Sequence, residues 1–140
     1  MNNFKYTLLI ITCLIQQLLF SQINTQNIEI VRDNYGVPHI FTKTDAELAY
    51  GLAWAHAEDD FKTTQQAYLA GNSLLSTVIG KNGLGADFIA QLIGSEKLID
   101  ENYEKNVSPE YKKVLEGYSA GINSFAKYHP EEVLSKKLFP

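Results

Sequence analysis

Cysteine is nearly absent from this 140-residue chain. The single one, Cys13, lies inside an apolar N-terminal run rather than at its end after small residues, which argues against a lipid-modified cysteine. With that run removed no thiol remains, so disulfides, cysteine-ligated metals and a cysteine nucleophile are excluded, and stability must come from packing. Positive charge is scarce too. Twelve Lys and Arg stand against sixteen Asp and Glu, a formal net charge of −4, which speaks against nucleic acid or an anionic membrane surface as partner. A long apolar span is also missing. The stretch from Leu8 to Phe20 is interrupted by Thr12, Cys13, Gln16 and Gln17 and falls short of the ~20 residues a spanning helix needs. With Lys5 before it and polar residues after it, the segment 1–22 reads as a cleaved export signal, leaving 23–140 as an exported, periplasmic or secreted domain with no stable membrane anchor.

Familiar site patterns are missing as well. None of His39, His56 and His129 is paired with another histidine at i+3 or i+4, so no metal-binding helix is offered and no metal site is expected. Gly80-Lys81-Asn82-Gly83-Leu84-Gly85 has three glycines in six residues but lacks the Lys and Ser/Thr of a phosphate-binding loop at the required positions. Glu58-Asp59-Asp60 is at most a loose cation site, because consecutive helical carboxylates point in different directions, although one of them could serve as a single ligand.

What is present is a long central helix, predicted over Thr44 to Gly71. Thr44 and Glu47 have capping-box spacing, Asp45 suits the positive end of the dipole, and Gly71 stands where a left-handed C-terminal residue is wanted. Tyr50, Trp54, Ala57, Phe61 and Tyr68 form one stripe, and Leu48, Leu52, Ala55 and Asp59 the opposite one, so the helix requires cover on two sides. Before it, Ile28 to Phe41 reads as two strands around the turn Asp33-Asn34-Tyr35-Gly36, with Pro38 at an edge or unpaired position. After it, Asn72 or Ser73 is placed to cap a short helix to Ile79. Asp87 starts an apolar segment that runs through Ile99 into a polar stretch, Asp100 to Asn106. Ser108-Pro109-Glu110 opens a last helix with the stripe Tyr111, Leu115, Tyr118, Ile122 and Phe125. Gly117 and Gly121 mark close packing along it, and His129-Pro130 is its stop. The fold class expected is α+β, mostly helical with one β-hairpin.

Two pairs are chemically suggestive and each has a structural alternative. Arg32 and Asp33 either pair or bind a ligand at the turn, or are a structural Arg and a turn-capping Asp. His56 and Asp59, three apart, either form an acid/base pair or are hydrogen-bonded structural residues.

Three segments together resemble a known family: Ile28-Glu29-Ile30-Val31-Arg32-Asp33-Asn34-Tyr35-Gly36-Val37-Pro38-His39-Ile40, then Tyr50-Gly51-Leu52-Ala53-Trp54-Ala55-His56-Ala57-Glu58-Asp59, then Gly117-Tyr118-Ser119-Ala120-Gly121-Ile122-Asn123. In order and spacing they are similar to the start of the small (α) chain of penicillin acylase-like enzymes. Asp60, a non-Arg residue after the acidic pair, leans the likeness toward the acyl-homoserine-lactone and aculeacin acylase branch. The resemblance implies part of an αββα N-terminal-nucleophile hydrolase sandwich, exported as a precursor that cleaves itself into small and large chains. It further implies an N-acyl small-molecule substrate, whose amide is attacked by the first residue of the large chain with its own α-amino group as base. The nucleophile, oxyanion donors and most ligands of a possible calcium belong to that large (β) chain. No catalytic residue, cofactor or metal ligand is therefore expected in this chain. Arg32, Asp33, Gly36, His39, His56, Asp59, Gly117, Tyr118, Gly121 and Asn123 are carried over as motif positions that build core and interface. The apolar end Leu138-Phe139-Pro140 is read as an interruption of a longer α-chain. A free-standing, non-catalytic helical binding module is the alternative.

Overall fold

The structure is a computed structural model and describes residues 23–135; the expected export signal and the last five residues lie outside the described residues. Strand β1 (Glu29–Arg32) and strand β2 (Pro38–Phe41) form an antiparallel hairpin, with Ile30 opposite Ile40 and Arg32 opposite Pro38. Placing Pro38 at the first residue of β2 leaves the ladder intact.

Helix α1 (Asp45–Gly71) starts with the expected capping box. Thr44 Oγ1 accepts from Glu47 N, and the Glu47 carboxylate accepts from the Thr44 and Lys43 amides at 3.1 Å each and from Asn27 Nδ2 at 2.7 Å. The helix is not continuous. Asp60 is extended (φ −159°, ψ 77°) and divides it into two helical halves across a kink. The cause is local: Asp60 accepts from Thr63 N at 2.9 Å and Thr63 Oγ1 at 2.6 Å, so it N-caps the second half, the use a short polar side chain favours over a helix interior. The end also differs from the sequence expectation. Gly71 does not take the left-handed conformation; the positive φ falls on Ser73 (56°), and Asn72 Nδ2 donates to the Tyr68 carbonyl to close the last turn.

Cover on two sides is realised through small residues. Gly51 meets the hairpin, where an added Cβ would stand 2.7 Å from Ile40 Cγ2 and 3.1 Å from Ile28 Cγ2. A turn further on, Ala55 is fully buried and its carbonyl accepts from Arg32. Leu48 and Leu52, expected beneath that cover, stay exposed at 43% and 39%, because the hairpin seats over the glycine and alanine positions beside them.

The other side of α1 receives helix α5 (Pro109–Tyr128), capped by Ser108 accepting from Tyr111 N. Gly117 packs on the backbone of Ala46, Gly121 on Tyr50 and Ala53, and Phe125 on Phe61 and Trp54 with ring centroids 5.1 and 5.3 Å apart. The contacts advance in the same direction along both helices, so α1 and α5 are parallel and need a crossover. Residues 72–108 supply it as α2 (Ser76–Ile79), a 3-10 turn (Gly80–Gly83), α3 (Leu84–Ile93) and α4 (Ser95–Asn106).

Three features of the crossover depart from expectation. Helix α3 begins at Leu84, before Asp87. It ends at Gly94, whose φ of 71° allows the left-handed turn, and the polar stretch 100–106 is helical within α4. Neither Asn72 nor Ser73 caps α2. That task falls to Asp87, which reaches across from α3 to accept from Leu75 N at 2.8 Å and Ser76 N at 2.9 Å. Where α1 and α5 meet, the core cluster is Ala57, Phe61, Phe125 and Ala126, flanked by Trp54, Ile122 and Val133. Among the described residues no helix is long and apolar enough to cross a membrane.

Candidate functional site

The motif residues gather at two junctions on α1. At the first, Arg32 leaves the end of β1 and spreads its donors over Gly36 O (2.8 Å), Ala55 O (3.4 Å), the Glu58 carboxylate (3.1 Å) and the Asp59 carboxylate (2.8 Å). Glu58 is held from its other side by Trp54 Nε1 at 2.9 Å. The guanidinium pKa is raised chiefly by the hydrogen bond to Glu58. Asp33, the next residue, turns away: Oδ1 accepts from Tyr35 N at 2.8 Å and Val37 N at 3.0 Å, and Oδ2 stands 3.5 Å from His39 Nε2. The Val37 and Tyr35 amides hold its pKa below the ordinary 3.8. Arg32 and Asp33 therefore do not pair. Gly36, at φ 81°, supplies the positive φ the turn requires.

At the second junction, His56 Nδ1 lies 3.1 Å from the Tyr118 hydroxyl, with the rings edge to face. The His56–Asp59 pair weighed from the sequence is not formed. Arg32 draws Asp59 toward the hairpin, while Tyr118 on α5 engages His56.

The four positions from Gly117 to Asn123 divide by function. Gly117 and Gly121 are buried against α1, whereas Tyr118 and Asn123 line a groove of about 1440 Å³ between the second half of α1 and α5. Its lining includes the apolar Ala67, Ile122 and Val133 and the polar Thr63, Ser119 and Lys127. Closure at one end depends on Gln65, 1% exposed, which donates to the carbonyls of Phe61 and Glu132 and accepts from Leu134 N at 2.8 Å. Sequence reasoning passed over Gln65 because a lone amide on an apolar helix face carries no spacing signal.

One further grouping joins three metal-capable side chains. His129 Nδ1 is 3.6 Å from carboxylate oxygens of both Glu131 and Glu132, and the three donor atoms lie within 4.8 Å of one another. A search for paired histidines overlooks it. All three residues reach solvent, and the His129 ring is stacked on Phe125 at 4.2 Å, at the end of α5. Among the described residues no Ser or Thr hydroxyl is hydrogen-bonded to a histidine.

The comparisons agree with this scaffold. The sequence profile of the penicillin amidase family matches residues 27–138, from two residues before β1 to beyond α5. The chain belongs to the penicillin amidase family. Penicillin G acylase of Escherichia coli is 27% identical to it over 147 aligned positions, which span 92% of this chain and 16% of the relative. The acyl-homoserine lactone acylase QuiP of Pseudomonas fluorescens is 28% identical over 100, spanning 71% of this chain and 12% of the relative. A solved structure of the thermostable penicillin G acylase from Alcaligenes faecalis matches with a TM-score of 0.66 at 23% identity, covering 79% of this chain and 59% of that one. The fold is thus that of a penicillin acylase, an N-terminal-nucleophile hydrolase fold, and mostly helical with one hairpin as the sequence indicated. In this chain Arg32 ties the hairpin to α1, and Gly117 and Gly121 pack α5 on α1. The chain spans only a small part of the curated relatives it matches.

Proposed function

We propose that the chain is the small-chain part of an exported amidohydrolase that cleaves the linear amide of N-acyl compounds such as β-lactam side chains or N-acyl-homoserine lactones. A large chain of the same precursor supplies the nucleophile. The observation that carries this reading is that the family profile spans the whole hairpin, α1 and α5 scaffold. Relative lengths support it. The curated penicillin G acylase is roughly six times as long as this chain, since 92% of the chain covers 16% of it, whereas the solved penicillin G acylase chain is only about 1.3 times as long, by the ratio of 79% to 59%. An enzyme of that name therefore carries this fold on a small, separate chain.

In the reaction proposed, the N-terminal hydroxyl residue of the large chain attacks the amide carbonyl and its α-amino group takes the proton. The amine leaves, and water hydrolyses the acyl-enzyme. The contribution of this chain is structural: Arg32, Glu58 and Trp54 fix the hairpin, and the glycine pair fixes α5. A calcium ion, if the complete enzyme holds one, would be held chiefly by the large chain. We assign none of its ligands to Glu58, Asp59 or Asp60, which are engaged by Arg32, Trp54 and Thr63. The groove favours a second reading, a free-standing exported module that holds an acyl group.

The test is to read the coding frame past Pro140 and to assay release of amine from an N-phenylacetyl anilide. Hydrolysis only when chain and large chain are produced together is the expected result. Turnover by the chain alone, or a frame and neighbourhood without any large chain, would refute it; saturable binding of fatty acid by the isolated chain would then favour the module.

A further inference from the structure

The crossover leaves an apolar surface that the rest of the described chain does not cover. On α3, Leu84, Phe88, Leu92 and Ile93, and on α4, Leu98 and Ile99, are between 51% and 70% exposed. Helix α3 has one charged side chain, Asp87, and that one is buried beneath α2 as its cap, so the outward face of the helix has no charge at all. The arm is anchored on one side: α3 packs chiefly on α1 and the turn before it, and α4 chiefly on α3. Six large apolar side chains exposed on two successive helices mark a contact surface.

Two observations select the occupant. Apart from the buried Asp87, residues 84–106 carry four acidic side chains and two basic ones, an excess of negative charge that disfavours an anionic lipid surface and favours a protein with an apolar ridge edged by Lys or Arg. Both helices also fall inside the stretch that the family profile matches, while this chain covers only 12% to 16% of its relatives' length, so most of the family's protein mass lies outside the matched stretch.

We propose that the exposed face of α3 and α4 is the seat of the large chain, through a ridge of apolar side chains with basic residues at its rim. The inference rests on the small-chain reading above. Its test is co-expression of the full chain with the large chain encoded with it, followed by capture through a tag on the large chain. Wild type is compared with Phe88→Glu/Leu92→Glu, with the milder Leu92→Gln/Ile99→Gln, and with Tyr35→Glu at the hairpin turn, where the side chain is 92% exposed. Capture of the first variant is expected to fall at least tenfold and of the second severalfold, with Tyr35→Glu unchanged and all three melting like wild type as isolated chains. Capture of both face variants at the wild-type level overturns the face and leaves the small-chain reading standing; no capture of wild type overturns both. Binding of the isolated chain to phosphatidylcholine vesicles, or its dimerisation by light scattering, overturns the proposal if Phe88→Glu/Leu92→Glu abolishes it and the large chain fails to displace it.

Discussion

At the scale of single residues, the glycines separate into those that carry the packing and those that do not. A Cβ at Gly121 would stand 2.5 Å from the Tyr50 carbonyl oxygen and 2.8 Å from Ala53 Cβ, both parts of a helix that cannot yield. Gly121→Ala is therefore expected to destabilise by about 1–3 kcal/mol, read as a lower urea midpoint at unchanged slope. Gly85, helical and with nothing within 4 Å, gives the opposite sign: Gly85→Ala should stabilise by up to ~1 kcal/mol. Acid sensitivity belongs to this scale too. Asp33, Asp60 and Glu47 are held below their ordinary values of 3.8, 3.8 and 4.5 by amides of the turn, by Thr63 and by Asn27 respectively. Burial pushes Asp87 up, but the hydrogen bonds from Ser76 and Leu75 outweigh it and leave it lowered. A depressed carboxylate contributes stability that is complete above its unfolded pKa and is lost as pH falls through the folded one. Urea midpoints should accordingly be level from pH 7 to about 5.5 and decline steadily below 4.5, and Asp87→Asn should show a shallower decline.

At the scale of elements, what the sequence disclosed were the signals confined to neighbouring residues. The Thr44 and Glu47 box, the Asp33 to Gly36 turn, the Ser108-Pro109 start and the close-packing glycines all appear where their spacing put them. Of the features that escaped, the Asp60 cap is local but hidden by the apolar period around it, and the others depend on distant partners. Asp60 interrupts a periodic apolar pattern because Thr63 rewards capping, and Asp87 looks like the start of a helix although its partners are eleven and twelve residues earlier. Likewise, His56 and Asp59 look like a pair until Tyr118 and Arg32, from opposite sides of α1, take one each. The turn beyond α5 offers a direct check, since a single buried amide holds it. Gln65→Leu leaves the Glu132 carbonyl and the Leu134 amide without their partner at a cost of about 1–3 kcal/mol, and protection of the Leu134 amide against hydrogen exchange should be lost ahead of the amides of α5.

At the scale of the whole molecule, the apolar arm and the open groove set the expected behaviour of the isolated chain. A partner that binds only the folded form raises stability by mass action, by about 2.7 kcal/mol at one hundred times its dissociation constant. Titrating the large chain into the small one should therefore raise the melting temperature with concentration, and a melting temperature independent of it would remove the two-chain reading. The parallel arrangement of α1 and α5 has a kinetic consequence. Gln65 waits for Leu134, sixty-nine residues later, and Phe61 waits nearly as long for Phe125. On the ribosome, the hairpin and the first half of α1 can dock as soon as they emerge, but the aromatic side of α1 stays bare until the chain has been made almost to the end of α5. High contact order makes that wait a slow step of folding and a window for aggregation or chaperone capture, and it assigns to residues 72–108 the task of bringing α5 back in the right direction.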